Sequence, residues 1–226
     1  MPTFTGLGGE VIWLCPSLDD SPDDLSGNGN NGTYVNGVST IVDTEFGGSR
    51  AYQFDGTNQG ITFSYISSMN LITEVSYAFW FNKSSASFSN YVLNKGGSSK
   101  RSPWINTYGN GRWESQIQFS NGTNTFYNGF GQGQYDQWDH IALSWDGVIS
   151  RHYVNGNLVD KEFHSRGITT VNDFGGSYSI STLSGGAYGL MDDIRIFNRA
   201  LKSVEVKYLY TKRGIIGPHN FALFTV

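Results

Sequence analysis

Two tight turns in the middle of the chain join three alternating segments, and they constrain the fold more than any other feature. Asp146-Gly147 and Asn155-Gly156 each stand between runs in which apolar and polar residues alternate. Both dipeptides are typical of two-residue hairpin turns, because both central residues of a type I′ turn have positive φ. The sequence therefore predicts a three-stranded antiparallel meander between residues 138 and 163.

The stretch from Gly189 to Tyr210 changes its period half-way along. Its first half alternates, with Ile194 and Ile196 on one side, as in a strand with one buried face. Its second half repeats apolar residues at i, i+3 and i+4, which favours a short helix laid on the end of a sheet. The residues predicted to be buried in the core are Ile141, Leu143, Ile194 and Ile196.

Four motifs, found in order along the chain, resemble the laminin-G-like, concanavalin A-like jelly-roll family. They are Asp-Leu-Ser-Gly-Asn-Gly-Asn-Asn-Gly at 24–32, Phe-Asp-Gly at 54–56, Trp-Asp-His-Ile-Ala through Tyr-Val-Asn-Gly at 138–156, and Gly-Leu-Met-Asp-Asp-Ile-Arg-Ile-Phe-Asn-Arg-Ala-Leu at 189–201. The ordered set is more specific than any single motif. The resemblance implies an all-β fold, a two-sheet antiparallel β-sandwich of the concanavalin A-like jelly-roll type with a short C-terminal helix.

The resemblance divides the chain into three parts. Residues 1–10 form a Gly-rich lead-in, residues 11–210 the laminin-G-like jelly-roll domain, and residues 211–226 an apolar C-terminal extension. A length of 226 residues suits one sandwich domain with a sizeable core. The chain departs from the family at Lys202, which stands where a Ser cap is usual, so we expect the capping box with Glu205 to be lost.

Charge and hydropathy narrow the range of partners. A formal net charge of -4 gives no general attraction to nucleic-acid phosphates or to anionic lipid. No apolar stretch approaches the length of a membrane span, and residues 1–10 lack a signal-peptide pattern. The single cysteine, Cys15, lies in an apolar run and is interpreted as a small buried side chain. We therefore expect no nucleic-acid partner, no membrane partner and no export by the usual route.

The loop at residues 24–32 also suggests a metal site. In the family that the chain resembles, such a loop often carries a structural calcium, and calcium prefers oxygens from carboxylates, Asn side chains and backbone carbonyls. The alternative is that the Asn and Gly residues only satisfy turn geometry, with Asp24 in an Asx turn. The residues predicted to bind a structural Ca²⁺ are Asp24, Asn28, Asn30 and Asp192.

Residues 104–135 interleave aromatic side chains with Asn and Gln. Sugars are recognised by flat rings that stack on C–H faces and by amides that bond the hydroxyls, so this mixture has the chemistry of a glycan site. The same mixture is ordinary in a β-sandwich, where alternate rings fill the core. The predicted glycan contacts are therefore restricted to the loop-tip residues Tyr108, Tyr127 and Tyr135.

The sequence offers little for catalysis. Glycoside hydrolases of this fold need two carboxylates in one cleft, and Asp160 and Glu162 are better interpreted as solvated charges after a hairpin turn. Lyases of similar fold use Gln-Ile-His, whereas residues 116–118 are Gln-Ile-Gln. His140 and His152 lie on neighbouring predicted strands, but without a third ligand each is expected to be a neutral core or sheet-surface side chain. The protein is therefore predicted not to be an enzyme.

The extension at residues 211–226 ends in a segment that is apolar on both faces. A free tail of this kind would be prone to aggregate, so it must be covered. An extra strand within its own domain and strand addition to a neighbouring subunit are both open. The residues predicted to dock a partner are Phe221, Leu223 and Phe224.

The resemblance supports two main hypotheses for function. The first is a non-catalytic binding or adhesion module that serves as a structural or decoration protein on a virus (phage) particle surface. It would bind a surface glycan or other virion proteins, as a homo-oligomer or as part of a larger assembly. The second is a free-standing carbohydrate-binding lectin secreted by a non-classical route, and a jelly-roll glycoside hydrolase or polysaccharide lyase is the third class. The missing signal-peptide pattern favours the virion surface.

Overall fold

Alternating segments along the chain form two stacked antiparallel sheets. The computed structural model describes residues 6–46, 48–70, 72–84, 90–97, 100–118, 125–164, 176–181 and 186–212. In chain order the elements are β1 (Glu10–Leu14), β2 (Gly32–Val35), β3 (Ser39–Asp43), β4 (Ser49–Asp55), β5 (Gly60–Phe63), β6 (Val75–Lys83), β7 (Asn90–Gly97), β8 (Lys100–Thr107), β9 (Arg112–Gln118), β10 (Thr125–Gln132), β11 (Trp138–Trp145), β12 (Ile149–Val154), β13 (Asn157–Phe163), β14 (Tyr178–Ile180), β15 (Tyr188–Phe197) and helix α1 (Ser203–Thr211). Short 3-10 turns lie at Thr44–Phe46 and Ser67–Met69.

The two sheets enclose one core. The eight-stranded sheet has the order β13-β12-β11-β6-β15-β4-β3, with β1 added beside β15, and the seven-stranded sheet has the order β10-β9-β8-β7-β14-β5-β2. Apolar side chains from both inner faces form a single cluster. The predicted core residues Ile141, Leu143, Ile194 and Ile196 are all fully buried within it. The predicted two-sheet antiparallel sandwich is therefore confirmed.

The predicted meander forms β11, β12 and β13, but its two turns differ. At the second turn Asn155 and Gly156 have φ of 51° and 72°, as a type I′ turn requires. At the first turn only the glycine of Asp146-Gly147 has positive φ, and the Asp146 carboxylate accepts the N–H groups of Val148 and Ile149 at 3.0 and 2.7 Å. The aspartate side chain closes a longer connection here, because Asp readily bonds backbone groups that follow it.

Strand β15 lies inside the eight-stranded sheet and changes one of its neighbours half-way along. On one side it pairs with β6. On the other side it pairs with β4 over Tyr188–Met191 and with β1 over Ile194–Phe197. The change coincides with a bulge at Asp192 and Asp193, where Asp193 has a φ of 45°. A bulge bends a strand and re-aims its side chains, and this one places both carboxylates in the interior.

A buried ion pair holds the bulge in place. Asp193 Oδ1 accepts hydrogen bonds from Trp13 Nε1 at 2.9 Å and from Arg195 Nε at 2.7 Å. The guanidinium of Arg195 lies 4.2 Å from the ring centroid of Trp13, a cation–π contact. All three residues are less than one-tenth exposed. The network joins β1 to the second half of β15.

Helix α1 covers the outer face of the eight-stranded sheet, whereas the sequence predicted it at the end of a sheet. Val206 and Leu209 of the helix pack with Ala78, Ala142 and Tyr153, which come from β6, β11 and β12. Alternate residues of these strands face away from the core, and their small or aromatic side chains leave an apolar surface for the helix. No helix in the described ranges has the length and apolar character needed to cross a membrane.

The start of the helix keeps part of its capping box. The Glu205 carboxylate accepts the backbone N–H of Lys202 at 2.8 Å and pairs with Arg199 at 2.7 Å. The expectation that the capping box is lost is wrong for this half of it. The donor is a backbone N–H, so the side chain at residue 202 does not matter for this bond.

Candidate functional site

A continuous row of residues crosses the outer face of the seven-stranded sheet. Directly opposed residues of neighbouring strands share a face, and the pairings link one residue from every strand. Ile61, Ile105 and Ile117, which are next to members of the row along the chain, are buried in the core, so the row faces outwards. From β2 to β10 the row consists of Thr33, Thr62, Ser179, Asn94, Trp104, Gln116 and Tyr127.

A second row lies beside the first, where Asn106 stands opposite Tyr91 and Glu114. The rings of Tyr91 and Trp104 meet edge to face, with centroids 6.1 Å apart and an interplanar angle of 73°. The indole N–H of Trp104 donates a hydrogen bond to the side-chain carbonyl of Gln116, which fixes the ring. We call the following set the outer-face site: Tyr91, Asn94, Trp104, Asn106, Glu114 and Gln116.

Two amides of the outer-face site carry groups that no described residue satisfies. Asn94 and Asn106 are 0% and 3% exposed. The Oδ1 atom of Asn94 accepts the Ser179 hydroxyl at 3.0 Å, but Asn94 Nδ2 and Asn106 Oδ1 have no hydrogen-bond partner among the described residues. A buried polar group without a partner costs about 1–3 kcal/mol. These atoms therefore favour a ligand or a water molecule that supplies the missing bond.

The outer-face site contains one acid. Glu114, which is 4% exposed, is the only carboxylate on the described strands of the seven-stranded sheet. Glycoside hydrolysis by the usual mechanism needs a pair of carboxylates on either side of the scissile bond. On the described strands this face therefore offers groups for binding but not that acid–base pair.

Ser115, His152 and Asp160 form a chain of contacts that begins in the core and ends at the partly exposed carboxylate of Asp160. The Oγ atom of Ser115 lies 2.8 Å from His152 Nε2, and His152 Nδ1 lies 3.3 Å from Asp160 Oδ2. Nucleophilic catalysis uses the same order of groups. However, Ser115 and His152 are fully buried, and burial lowers the pKa of His152 to about 4. We interpret the chain as a structural tie, because it links β9 of one sheet to β12 and β13 of the other.

The two histidines predicted on neighbouring strands lie on opposite faces of the eight-stranded sheet. His152 stands opposite Leu143, which faces the core. His140 faces outwards, with its ring centroid 5.3 Å from that of Trp80, and burial lowers its pKa to about 3. Both imidazoles are buried and neutral at pH 7, as the sequence predicted, and they do not form a metal pair.

The predicted glycan contacts separate in the structure. Tyr108 and Tyr135 come together around Lys83, whose ammonium donates to the Tyr108 carbonyl and lies 5.1 Å from the ring centroid of Tyr135. Both tyrosines are half-buried, and burial lowers the pKa of Lys83 to about 8. The backbone pairing of β10 with β9 places Tyr127 at the β10 end of the row, and its side chain lies outside the described residues. A ligand contact at any of the three tyrosines stays a prediction.

The loop at residues 24–32 covers the free edge of β1 with its side chains. Asp24 accepts four hydrogen bonds at 2.8 to 2.9 Å, three from backbone N–H groups and one from the Ser26 hydroxyl. The side-chain N–H groups of Asn28 and Asn30 donate to carbonyl oxygens of β1 at 2.8 and 2.7 Å. The contacts of Asp24 are those of the Asx turn that was the alternative to a metal site. The side chains of the loop also form hydrogen bonds with backbone groups along the edge of β1.

Asp192, the fourth predicted calcium ligand, makes its contacts elsewhere. Its Oδ2 atom accepts the Ser17 hydroxyl at 2.6 Å, and its Oδ1 atom lies 3.6 Å from Cys15 Sγ. Burial raises the pKa of the Cys15 thiol, and Asp192 adds to the effect, so the thiol stays protonated as a buried cysteine should. Within the described ranges, no group of three or more His, Cys, Asp or Glu side chains is placed to hold a metal ion. The four predicted ligands do not fit one calcium shell as they stand, because N–H and O–H donors occupy the oxygens of Asp24. Calcium binding stays a prediction.

The predicted docking residues Phe221, Leu223 and Phe224 lie outside the described residues. Docking through the C-terminal extension therefore also stays a prediction.

The ligand contacts predicted from the sequence lie at loop tips, and the sequence analysis did not single out most residues of the outer-face site. The alternation of residues along β8 and β9 could have identified the side chains on the outer face. Ile105 and Ile117 are apolar and alternate with Trp104 and Gln116, so the isoleucines take the core face and their neighbours the outer face. Tyr91 and Asn94 gave no such signal, because the pairing of β7 with β8 contains two register shifts.

Comparison with known families shows the superfamily to which the chain belongs. The family model for the concanavalin A-like lectin/glucanases superfamily matches residues 55–207, which is more than half of the chain. The chain belongs to this superfamily. The resemblance inferred from the four motifs is thereby confirmed. No curated protein matches the chain at a significant level.

Several solved structures share the fold of this superfamily member at low sequence identity. The binding domain of Paraclostridial Mosquitocidal Protein 1 has a TM-score of 0.71 and 17% identity, and the match covers 89% of this chain and 52% of that one. Domain 4 of AbnA, an extracellular arabinanase from Geobacillus stearothermophilus, solved with arabinotriose, has a TM-score of 0.68 and 16% identity over 89% of this chain and 98% of that one. The Botulinum neurotoxin serotype D ligand binding domain, solved with N-acetylneuraminic acid, has a TM-score of 0.71 and 13% identity over 90% and 50% of the two chains. The chain thus spans about half the length of the two toxin domains, and at these identities the likeness shows the fold alone.

Proposed function

We propose that the protein is a non-catalytic carbohydrate-binding module and that the outer-face site binds an oligosaccharide. The observation that carries the proposal is the Tyr91–Trp104 ring pair beside the unsatisfied amide groups of Asn94 and Asn106. An aromatic ring stacks on the C–H face of a pyranose or furanose, and amides exchange hydrogen bonds with its hydroxyls. The outer-face site brings both kinds of group together on a rigid sheet.

The geometry of the row supports an extended ligand. Its members stand opposite one another across all seven strands, and neighbouring strands are about 4.8 Å apart. A line of several sugar units would therefore span successive strands, and it would have to reach Asn94, Ser179 and Trp104, which are 0%, 8% and 8% exposed. The polar residues Asn94 and Gln116 flank Trp104 in the row.

Two of the similar structures are consistent with this proposal. Domain 4 of the arabinanase was solved with arabinotriose, and the match covers 98% of that chain. The neurotoxin domain was solved with N-acetylneuraminic acid, but the match covers only 50% of it, so the sugar there says less about this chain. The arabinanase domain is the better guide to the choice of test ligands.

A polysaccharide panel tests the proposal. Affinity electrophoresis in gels that contain arabinan, xylan, β-glucan, mannan or polygalacturonate should show retarded migration of the protein with at least one polymer. Trp104→Ala should strongly reduce the retardation. If that variant does not fold, Gln116→Ala takes its place and should also reduce the retardation. Unretarded migration in every gel would contradict the proposal. Release of reducing sugars or unsaturated products from the same panel would contradict its non-catalytic part.

The finer hypothesis places the module on the surface of a virus particle, in a homo-oligomer or a larger assembly. It rests on the sequence interpretation alone and stays a prediction. Mass spectrometry of purified particles from the source should detect peptides of this chain in a fixed ratio to the major coat protein. Their absence would favour the free-standing lectin.

A further inference from the structure

A concave surface lies beside the first strand of the chain. It is an open cleft of about 690 Å³ between the lead-in to β1, the 24–32 loop and the segment that follows β5. A volume of this size lies within the range of pockets that hold small organic ligands. We call it the β1 cleft, and its polar wall is formed by Asn28, Asn30, Tyr65, Ser67, Ser68 and Asn198.

One wall of the β1 cleft is fixed by hydrogen bonds to β1. The Nδ2 atom of Asn28 donates to the Glu10 carbonyl at 2.8 Å, and that of Asn30 donates to the Val11 carbonyl at 2.7 Å. Each amide is therefore anchored through its nitrogen. No described residue donates to the Oδ1 atom of either side chain, so both oxygens remain available as acceptors for a hydroxyl.

The opposite wall presents a ring and two hydroxyls. Tyr65 is 47% exposed. Ser67 and Ser68 lie in the 3-10 turn at Ser67–Met69, which is held by the buried side chain of Met69. Neither serine hydroxyl has a hydrogen-bond partner among the described residues. This wall thus offers a stacking surface and two groups that both donate and accept hydrogen bonds.

The charge of the β1 cleft limits what can bind. Among the described residues, Glu10 is the only charged one that lines it. The Glu10 carboxylate is already engaged, since it accepts the Leu7 N–H and lies 3.6 Å from the guanidinium of Arg195. No described lining residue therefore supplies a cation for a carboxylated or sulfated ligand, and a second negative charge would be repelled. Its chemistry fits an uncharged ligand that is rich in hydroxyls.

We propose that the β1 cleft is a second carbohydrate site, which binds an uncharged saccharide of about two or three units. Asn28 and Asn30 accept hydrogen bonds from its hydroxyls, Ser67 and Ser68 exchange hydrogen bonds with it, and Tyr65 stacks on one ring. The inference stands independently of the outer-face site. With both sites occupied, one domain holds two points of a polysaccharide, and the local concentration at the second site raises the overall affinity.

A variant without the outer-face ring isolates the β1 cleft. Saturation-transfer difference NMR with arabinotriose, xylotriose, cellotriose and maltotriose as probes reports binding to the Trp104→Ala protein. At least one probe should still give a signal with this variant. The signal should also persist in the matched control Trp104→Ala, Tyr188→Ala, which loses an exposed tyrosine outside the β1 cleft. The variant Trp104→Ala, Tyr65→Ala should lose at least nine-tenths of the signal. If Trp104→Ala does not fold, Tyr91→Ala replaces it in all three proteins.

The outcomes separate this inference from the proposed function. A signal that persists in the Trp104→Ala, Tyr65→Ala protein overturns the β1 cleft as the site. A signal in the wild type that Trp104→Ala alone abolishes also overturns it, while the outer-face site stands. A signal in the Trp104→Ala protein from trigalacturonate as strong as that from the neutral probes overturns the assignment to uncharged ligands. No signal from any probe with the wild type contradicts both sites.

Discussion

The rings of Tyr91 and Trp104 meet edge to face on the outer face of the seven-stranded sheet, with their centroids 6.1 Å apart. The pair comes from neighbouring strands, β7 and β8, and the indole is fixed by its hydrogen bond to Gln116. Two rings held in this way form a preorganised surface, so little conformational entropy is lost when a ligand binds.

Removal of the smaller ring should weaken binding without unfolding the protein. We expect Tyr91→Ala to lower the affinity for the best-binding oligosaccharide about tenfold, which corresponds to about 1.4 kcal/mol. Isothermal titration calorimetry measures the change. Tyr188→Ala is the matched control, because Tyr188 is a 41% exposed tyrosine on the other sheet. An equal loss of affinity in both variants would contradict a specific role for Tyr91.

Stability should fall as the pH is lowered from 7.5 to 5. Burial lowers the pKa of His140 to about 3 and of His152 to about 4, whereas an unfolded histidine titrates near 6.5. Between these pH values the unfolded chain binds more protons than the folded one, so the free energy of unfolding rises with pH. The stability that the two neutral histidines contribute is lost progressively as the pH falls below about 6.5. Asp160 opposes the shift at His152 in part.

Urea denaturation at pH 7.5, 6.5 and 5.5 tests this pH dependence. We expect the free energy of unfolding to drop by about 1–3 kcal/mol over the interval. His152→Gln should be less stable than the wild type at pH 7.5 but should lose less on acidification, because one of the titrating groups is gone. A free energy of unfolding that is independent of pH in this range would contradict the neutral, buried state of the histidines.

The ion pair at the β15 bulge should matter far more than an exposed pair of the same length. Arg195→Ala leaves the carboxylate of Asp193 buried without its guanidinium, which is 2.7 Å away in the wild type, and we expect a loss of about 3–5 kcal/mol. Arg50→Ala removes a 2.7 Å pair with Asp20 whose side chains are 38% and 47% exposed. We expect this control to cost less than about 1 kcal/mol. Similar losses in thermal or urea denaturation would show that the bulge does not depend on the ion pair.

Asp24 should stabilise the fold through its hydrogen bonds. Asp24→Ala removes four of them and leaves N–H groups of the loop and β1 unpaired, so we expect a loss of about 2–4 kcal/mol. Asp23→Ala, at an exposed neighbouring position, is the control and should be nearly neutral.

Melting curves with 1 mM calcium and with excess EDTA, at about the same ionic strength, separate this role from metal binding. If the hydrogen bonds account for the effect, the loss in Asp24→Ala is equal under both conditions. A wild-type melting temperature that rises with calcium, and a rise that Asp24→Ala abolishes, would instead support the calcium prediction, because a ligand bound only to the native state stabilises it.

The fold was predictable because its signals are local and repeated. The alternation around Ile141 and Leu143 and the glycine after Asn155 follow from the period of a strand and from the φ angles of a hairpin turn. The position of α1 was not predictable from its own pattern. It depends on Ala78 and Ala142, which leave room on the outer face of a sheet, and such packing is decided by residues far away in the sequence.

The candidate site was only partly predictable. The aromatic and amide mixture of residues 104–135 indicated the chemistry that we propose for the outer-face site. The loop-tip rule directed attention to Tyr108 and Tyr135, which lie around Lys83. The neighbours of Trp104 in space are Tyr91 and Asn94, on a strand whose register shifts twice. A one-residue shift exchanges the two faces of a strand, so no pattern within β7 alone could assign them.

The central claim is that an oligosaccharide binds on the outer face of the seven-stranded sheet, and side-chain NMR of ¹⁵N-labelled protein tests it most directly. On titration with the best-binding oligosaccharide, the account predicts shifts of the indole N–H signal of Trp104 and of the amide signals of Asn94 and Gln116. The indole signals of Trp113 and Trp145, which are 1% and 0% exposed in the core, should stay in place. Unshifted signals of Trp104, Asn94 and Gln116 at a ligand concentration that saturates binding would contradict the claim.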